Sequence, residues 1–179
     1  LQQLLALLQT RNVRRYLEIG ARDGDTLHDV GMVLPEGSTL VAVDLPDGKW
    51  GRRDSLRNLR KACIDLRNQG RQPRMVLGSS QSPEVLGMVD RYGPYDAILI
   101  DGDHSYAAVK SDWLMYGSLT PLTVFHDIAG EGESDKSRGI PVEVPRLWAE
   151  IKATGVETRE FIAPDSRMGI GVVIKPMER

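Results

Sequence analysis

Strand and helix signals alternate along this chain, and that alternation limits the folds open to it more than any other feature. Arg14–Ile19, Thr39–Asp44, Arg74–Leu77, Tyr95–Asp101 and Leu122–Asp127 are short apolar runs that read as strands. Between them, apolar residues recur three and four apart, the spacing of one helix face. These faces are Leu27, Val30 and Leu34, then Leu56, Leu59, Cys63 and Leu66, then a segment from Pro83 to Tyr92, then Tyr106, Val109, Trp113 and Tyr116. Such a pattern predicts a parallel sheet covered by helices on both faces. Leu1, Leu4, Leu5 and Leu8 predict an opening helix over residues 1–12, and Pro145 starts another with Leu147, Trp148 and Ile151 turned inward. Glu157–Ala163 and Gly169–Lys175 predict two last strands paired as a hairpin, with Asp165-Ser166-Arg167 in the turn.

The expected fold class is therefore α/β: a single doubly wound, Rossmann-like domain with a mostly parallel seven-stranded sheet and an antiparallel C-terminal hairpin. The chain has 179 residues, the size of one domain, and shows neither repeat nor boundary, so 1–179 is read as one unit. Residues 129–140, rich in Gly, Ser and charge, read as a mobile loop.

Composition narrows the function classes. The net charge is −2 and the pI about 6.0, which argues against a nucleic-acid binder. Cys63 is the only cysteine, so neither an internal disulfide nor a cysteine metal cluster is available, and a cytoplasmic location is expected. The apolar run Leu4–Leu8 is far short of the ~20 residues of a membrane span. No membrane partner is expected, and a homodimer is an admissible state. The chain begins with Leu1 rather than Met, from which the natural N-terminus is expected to lie upstream.

In sheets of this kind ligands bind beyond the carboxyl ends of the strands. Here those ends carry Glu18, Asp44, Gly78-Ser79-Ser80-Gln81, Asp101 and His126-Asp127. Any one of them has a plain reading as a turn former, but together they outline a polar rim. Gly20-Ala21-Arg22-Asp23-Gly24 supplies glycines for a tight strand-to-helix turn and for close approach of a ligand. Asp44, at the end of the second strand, suits a ribose diol. Glycine turn and acidic second strand together indicate a nucleoside cofactor, either NAD or S-adenosylmethionine (SAM).

Tyr16 to Thr26, with its Gly-Ala-x-x-Gly core, resembles the first motif of class I SAM-dependent methyltransferases. Gly78-Ser79-Ser80-Gln81 is similar to the Gly-x-Ser-Gln of the metal-dependent O-methyltransferases of the catechol and caffeoyl-CoA type. Ile100-Asp101-Gly102-Asp103-His104-Ser105-Tyr106 and Phe125-His126-Asp127-Ile128 fall where that group places its metal ligands. The likeness extends to the branch of macrocin O-methyltransferases and cephalosporin-hydroxylase-like proteins, and covers roughly residues 13 to 175. It implies a SAM-dependent methyltransferase acting on a hydroxyl of a small-molecule acceptor. Glu18, Gly20, Ala21, Gly24, Asp44, Ser80, Gln81 and Asp101 would bind the cofactor. Asp101, His126 and Asp127 would hold a divalent cation, Mg²⁺ or Mn²⁺. His104, where that group has a lysine, would be the general base beside Asp101.

Several alternatives stand beside this reading. An NAD-dependent oxidoreductase would want Gly-x-Gly-x-x-Gly, and this chain has Arg22 at the second glycine. A methyltransferase-like protein that binds SAM without methyl transfer would share the rim. His104 has a second reading as a helix cap, His126 as an internal hydrogen-bond partner, and His28 as a surface residue. Trp113 and Trp148 fit a core. Trp50 lies in a loop beside the cofactor site and suits a cover for the adenine or the acceptor. The basic residues from Arg52 to Arg67 read as a solvated face or as a site for an acidic acceptor.

Overall fold

The computed structural model describes residues 1–46, 48, 51, 53–129, 134–135, 140–163 and 168–176. Its elements run α1 (Gln2–Thr10), β1 (Arg15–Ile19), α2 (Asp25–Val33), β2 (Thr39–Asp44), α3 (Ser55–Asn68), β3 (Gln72–Leu77), α4 (Pro83–Asp90) and β4 (Ala97–Ile100). They continue with α5 (Tyr106–Tyr116), β5 (Leu122–His126), β6 (Ser134–Asp135), β7 (Ile140–Pro141), α6 (Val144–Ala153), β8 (Glu157–Phe161) and β9 (Ile170–Ile174). Trp50, Arg52 and the turn at residues 165–167 lie outside the described residues.

Seven strands form one sheet in the order β3-β2-β1-β4-β5-β9-β8. The β3-β2-β1-β4-β5 part is parallel, and β9 runs antiparallel to both β5 and β8. The expected α/β sheet with an antiparallel end is therefore what forms. The direction of chain winding reverses between β1 and β4, so the crevice for a ligand opens above those two strands. Within and just after the segment read as a mobile loop, Ser134–Asp135 pairs with Ile140–Pro141 in a small two-stranded ribbon.

Alternation along each strand sends successive side chains to opposite faces, and two apolar cores result. Tyr16, Leu40, Ala42, Ala97, Leu99, Leu122 and Val124 face α1, α2 and α3. Leu17, Ile19, Val41, Val43, Ile98, Ile100 and Phe125 face α4, α5 and α6. Trp148 is buried and packs against Phe125 at 5.8 Å between ring centroids, and Trp113 packs at 5.6 Å from the same ring. Trp148 is a core residue, and Trp113 is partly buried and packed against the same core, in keeping with their helical spacing. No helix among the described residues is long and apolar enough to cross a membrane.

One close approach fixes the centre of the sheet. Gly20, with φ +88°, follows β1 directly, and its amide donates to Val43 O on one neighbouring strand at 2.8 Å. A Cβ placed on Gly20 would lie 2.2 Å from the carbonyl oxygen of Asp101 and 2.6 Å from Cα of Gly102. Both atoms are backbone, so nothing can rotate aside. Gly20→Ala is expected to cost about 1–3 kcal/mol from overpacking and about 1 kcal/mol more from its left-handed backbone. Urea denaturation checks this; an unchanged midpoint would show that the two loops separate freely.

Candidate active site

The loop after β1 is built by local backbone chemistry. Gly20 and Ala21 both donate to Val43 O, at 2.8 and 3.2 Å, and Gly24 donates to Ala21 O at 2.7 Å. Arg22 takes φ 43° and Gly24 φ 82°, with Gly24 at the N-cap of α2. The turn therefore points backbone at the crevice above β1. Arg22 N donates to Asp44 Oδ1 at 3.0 Å, which ties the turn to the end of β2.

Asp44 itself is buried, and its second oxygen, Oδ2, has no hydrogen-bond partner among the described residues. Burial raises its pKa above the usual carboxylate range, partly opposed by the Arg22 amide. An unsatisfied buried carboxylate oxygen is costly, and a ligand hydroxyl would satisfy it. Beside it stand Leu45 and Leu77, large apolar side chains 50% and 40% exposed on neighbouring strand ends. The signal for Leu45 was present in the sequence, as an apolar residue directly after the strand-end carboxylate.

Glu18 is placed differently from the rim position its sequence suggested. Its side chain shares the strand face of Tyr16, two residues back, and the Tyr16 hydroxyl donates to Glu18 Oε2 at 2.9 Å. Both are almost wholly buried. Burial holds the Glu18 carboxyl well above its usual pKa, against the Tyr16 hydroxyl and with help from the nearby Asp101 and Asp44 charges. Strand alternation is the reason: residue 18 points into the α1–α3 core and residue 19 into the other.

The loop after β3 is held from α5. Ser80 Oγ donates to Asp112 Oδ1 at 2.7 Å, and the Tyr116 hydroxyl donates to Ser80 O at 2.6 Å. Gln81 is exposed. Asp112 was not foreseen, because a charged residue at that position reads as solvated.

Beyond β4 and β5, four side chains meet. His104 Nε2 lies 3.1 Å from Asp101 Oδ1, and His104 Nδ1 lies 3.0 Å from Asp127 Oδ2. His126 Nδ1 lies 3.0 Å from Asp127 Oδ1 and 3.6 Å from Asp101 Oδ1. Asp127 holds the left-handed backbone, φ 59°, uncommon outside glycine. Glu143 supports the group from the start of α6: its amide donates to His104 O at 2.8 Å, and its carboxylate accepts from Tyr106 N at 2.9 Å.

The electrostatics follow from these contacts. Burial alone would lower the pKa of His104, but hydrogen bonds to Asp101 and Asp127 and their charges outweigh it, pushing it up to about 9. His126 is raised for the same reason, chiefly by Asp127 against burial. Burial would raise Asp127, yet the two imidazoles hold it well below the usual carboxylate range.

Two sequence expectations change here. A general base needs an open nitrogen, and both ring nitrogens of His104 face carboxylates, so His104 is a bridge. Among the described residues, His126 meets carboxylates only through Nδ1. The divalent cation expected at Asp101, His126 and Asp127 finds no preformed set of ligands in this arrangement. The His104 ring lies between the two carboxylates, and among the described residues no three His, Cys, Asp or Glu side chains are arranged to hold a metal ion. Imidazole supplies the positive charge there.

A family described as a methyltransferase domain matches residues 17–128. No curated protein matches the chain. A Staphylococcus aureus protein described as a candidate caffeoyl-CoA O-methyltransferase superposes with a TM-score of 0.71 at 18% identity, over 98% of this chain and 82% of its own. An O-methyltransferase from Bacillus cereus, solved in complex with SAH, gives 0.69 at 19% identity, over 97% and 80%. The O-methyltransferase TomG from Streptomyces achromogenes, involved in tomaymycin synthesis and solved with SAM, gives 0.70 at 16%, over 98% and 79%. At such identities the likeness is one of fold.

The raised pKa of His104 makes stability depend on pH. In the unfolded chain a histidine titrates near about 6.5, and in the folded protein this one does so at about 9. Its contribution is therefore full below about pH 6.5 and lost as pH rises through about 9. His104→Gln should lower the urea midpoint at pH 6 and flatten its decline between pH 6.5 and 9. A variant that declines as steeply as the parent would place the proton elsewhere.

Proposed function

This chain belongs to the methyltransferase domain family, and on that premise we propose that it transfers the methyl group of S-adenosylmethionine to a hydroxyl of a small molecule. The observation that carries this reading is the Oδ2 of buried Asp44, unsatisfied among the described residues, beside a turn that opens backbone to the crevice. A ribose offers two adjacent hydroxyls, and a carboxylate at the end of β2 accepts from them in charge-assisted bonds. Leu45 and Leu77 give the purine an apolar seat, with Ser80-Gln81 alongside. Gly20, Ala21 and Gly24 bring the chain close to the rest of the cofactor, and Asp101 faces its amino acid end. Bound SAM supplies a sulfonium methyl group open to in-line attack.

The protein's part in the reaction is alignment and removal of one proton. Alignment of two reactants can lower a barrier by as much as about 7–11 kcal/mol. His126 is the proposed base. Its Nδ1 lies 3.0 Å from Asp127 Oδ1, a carboxylate neighbour that favours the proton on Nδ1 and leaves Nε2 to take the acceptor's proton, the logic of a carboxylate-oriented histidine. His104, charged between Asp101 and Asp127, holds the carboxylates in place and stabilises negative charge developing on the acceptor oxygen. No step is routed through a metal ion. A small-molecule acceptor is supported by the net charge of −2, which offers little attraction to a polynucleotide.

Titration calorimetry tests the cofactor. The protein should bind SAM and its demethylated product SAH and not NAD. Asp44→Ala should weaken SAH binding by about 10- to 100-fold, the loss of a charge-assisted pair. Unchanged affinity would remove Asp44 from the site, and binding of NAD alone would replace the methyltransferase reading with an oxidoreductase one.

Turnover against a panel of hydroxylated acceptors tests the chemistry. His126→Ala should lower kcat by about 10²- to 10⁴-fold with SAH affinity intact. The acid limb of the wild-type pH profile should lie above the ordinary histidine value, since the base must be deprotonated and its pKa is raised. Activity should survive exhaustive chelation. A loss restored by Mg²⁺ or Mn²⁺ would return Asp101, His126 and Asp127 to the role of metal ligands.

A further inference from the structure

Helix α5 buries Ala108, Val109, Asp112 and Tyr116. Three of these suit a core. The fourth is a carboxylate only 1% exposed, in a place where an apolar residue would pack at lower cost. It has two neighbours of note. Oδ1 accepts from the Ser80 hydroxyl at 2.7 Å, and Oδ2 lies against the loop after β4, 3.5 Å from where a Cβ on Gly102 would stand. One turn further along α5, the Tyr116 hydroxyl donates to the carbonyl of the same Ser80 at 2.6 Å. Tyr116 is fully buried.

We propose that Asp112 and Tyr116 form a clamp on Ser80 that positions the loop on the purine side of the cofactor site. The proposal rests on the reading that this site binds SAM. The clamp engages both polar atoms of Ser80 that can reach α5, its hydroxyl and its carbonyl. The Ser80 side chain therefore shapes the loop and is not offered to the ligand. Exposed Gln81, with exposed Ser79 before it, is left to meet the purine. Because Asp112 also abuts Gly102, one carboxylate spaces the purine loop from the loop that carries Asp101 and His104. Burial pushes the Asp112 pKa up to about 6, against the Ser80 hydroxyl and with the aid of Asp103, which agrees with a carboxylate closed off from water.

The test measures binding of SAH and of adenosine, which probes the purine side alone, by titration calorimetry. Asp112→Ala should weaken both ligands by the same factor, about tenfold. Asp112→Asn should recover affinity to within about threefold, because its amide oxygen can accept the same hydroxyl. Ser80→Ala combined with Asp112→Ala should be no weaker than Asp112→Ala alone, since both remove one bond. Wild-type affinity in Asp112→Ala, failure of Asn to rescue, or additive losses would each overturn the clamp. If Asp112→Ala does not fold, Tyr116→Phe carries the test: it should weaken adenosine and SAH alike, and unchanged binding overturns the proposal. A wild-type protein that binds neither ligand defeats the cofactor reading itself, whereas wild-type binding with an indifferent Asp112→Ala defeats only the clamp.

Discussion

The contact between Gly20 and the backbone of Asp101–Gly102 is the constraint from which the site follows. β1 and β4 are neighbours at the centre of the sheet, and their chains leave it at the same level. With no Cβ between them, the turn after β1 rests directly on the loop after β4. That contact sets the distance between the part of the crevice that faces Asp44 and the part that faces Asp101. Gly24 then starts α2 in the left-handed conformation, with a would-be Cβ 3.0 Å from Leu59 and Ala62 of α3. The turn is thus gripped by the sheet on one side and a helix pair on the other.

The four titratable side chains beyond β4 and β5 are a second consequence of strand adjacency. Parallel neighbours end at the same height, so Asp101 and Asp127 come together, and two carboxylates in a partly buried place repel unless a cation intervenes. His104 is the intervening group, with a nitrogen toward each. His126 adds a second imidazole at the open side, its side chain 33% exposed against 11% for His104. The left-handed backbone at Asp127 is what turns its carboxylate back toward both rings, and backbone of that kind concentrates at functional sites.

Support for this cluster comes from behind the sheet's edge. Glu143 binds the loop of His104 and the first turn of α5 together. Further out, Tyr106 stacks beneath Arg146 at 3.8 Å and shares its hydroxyl with Glu150 and Lys110, joining α5 to α6. α5 is thereby fixed at both ends: to α6 near its start, and to the loop after β3 through Asp112 and Tyr116 near its finish. A helix held in this way can act as a spacer between loops that belong to different strands.

The layered sheet is legible from residue order alone, because apolar period and turn residues are local properties that each strand and helix carries alone. Thr39–Asp44 reads as a strand and is one, and the acidic residue at its end is legible for the same reason. The rim at Asp44, Asp101 and His126-Asp127 was legible as an order of strand ends. Which way each side chain points, and what it meets, follows from packing in three dimensions. Glu18 turned into a core beside Tyr16, His104 became a bridge between two carboxylates, and Asp112, which looks solvated in the sequence, was buried under Ser80. These are contacts between residues far apart in the chain, or between faces that one residue of alternation exchanges. Their energies depend on burial and distance, which no local pattern of residue types contains.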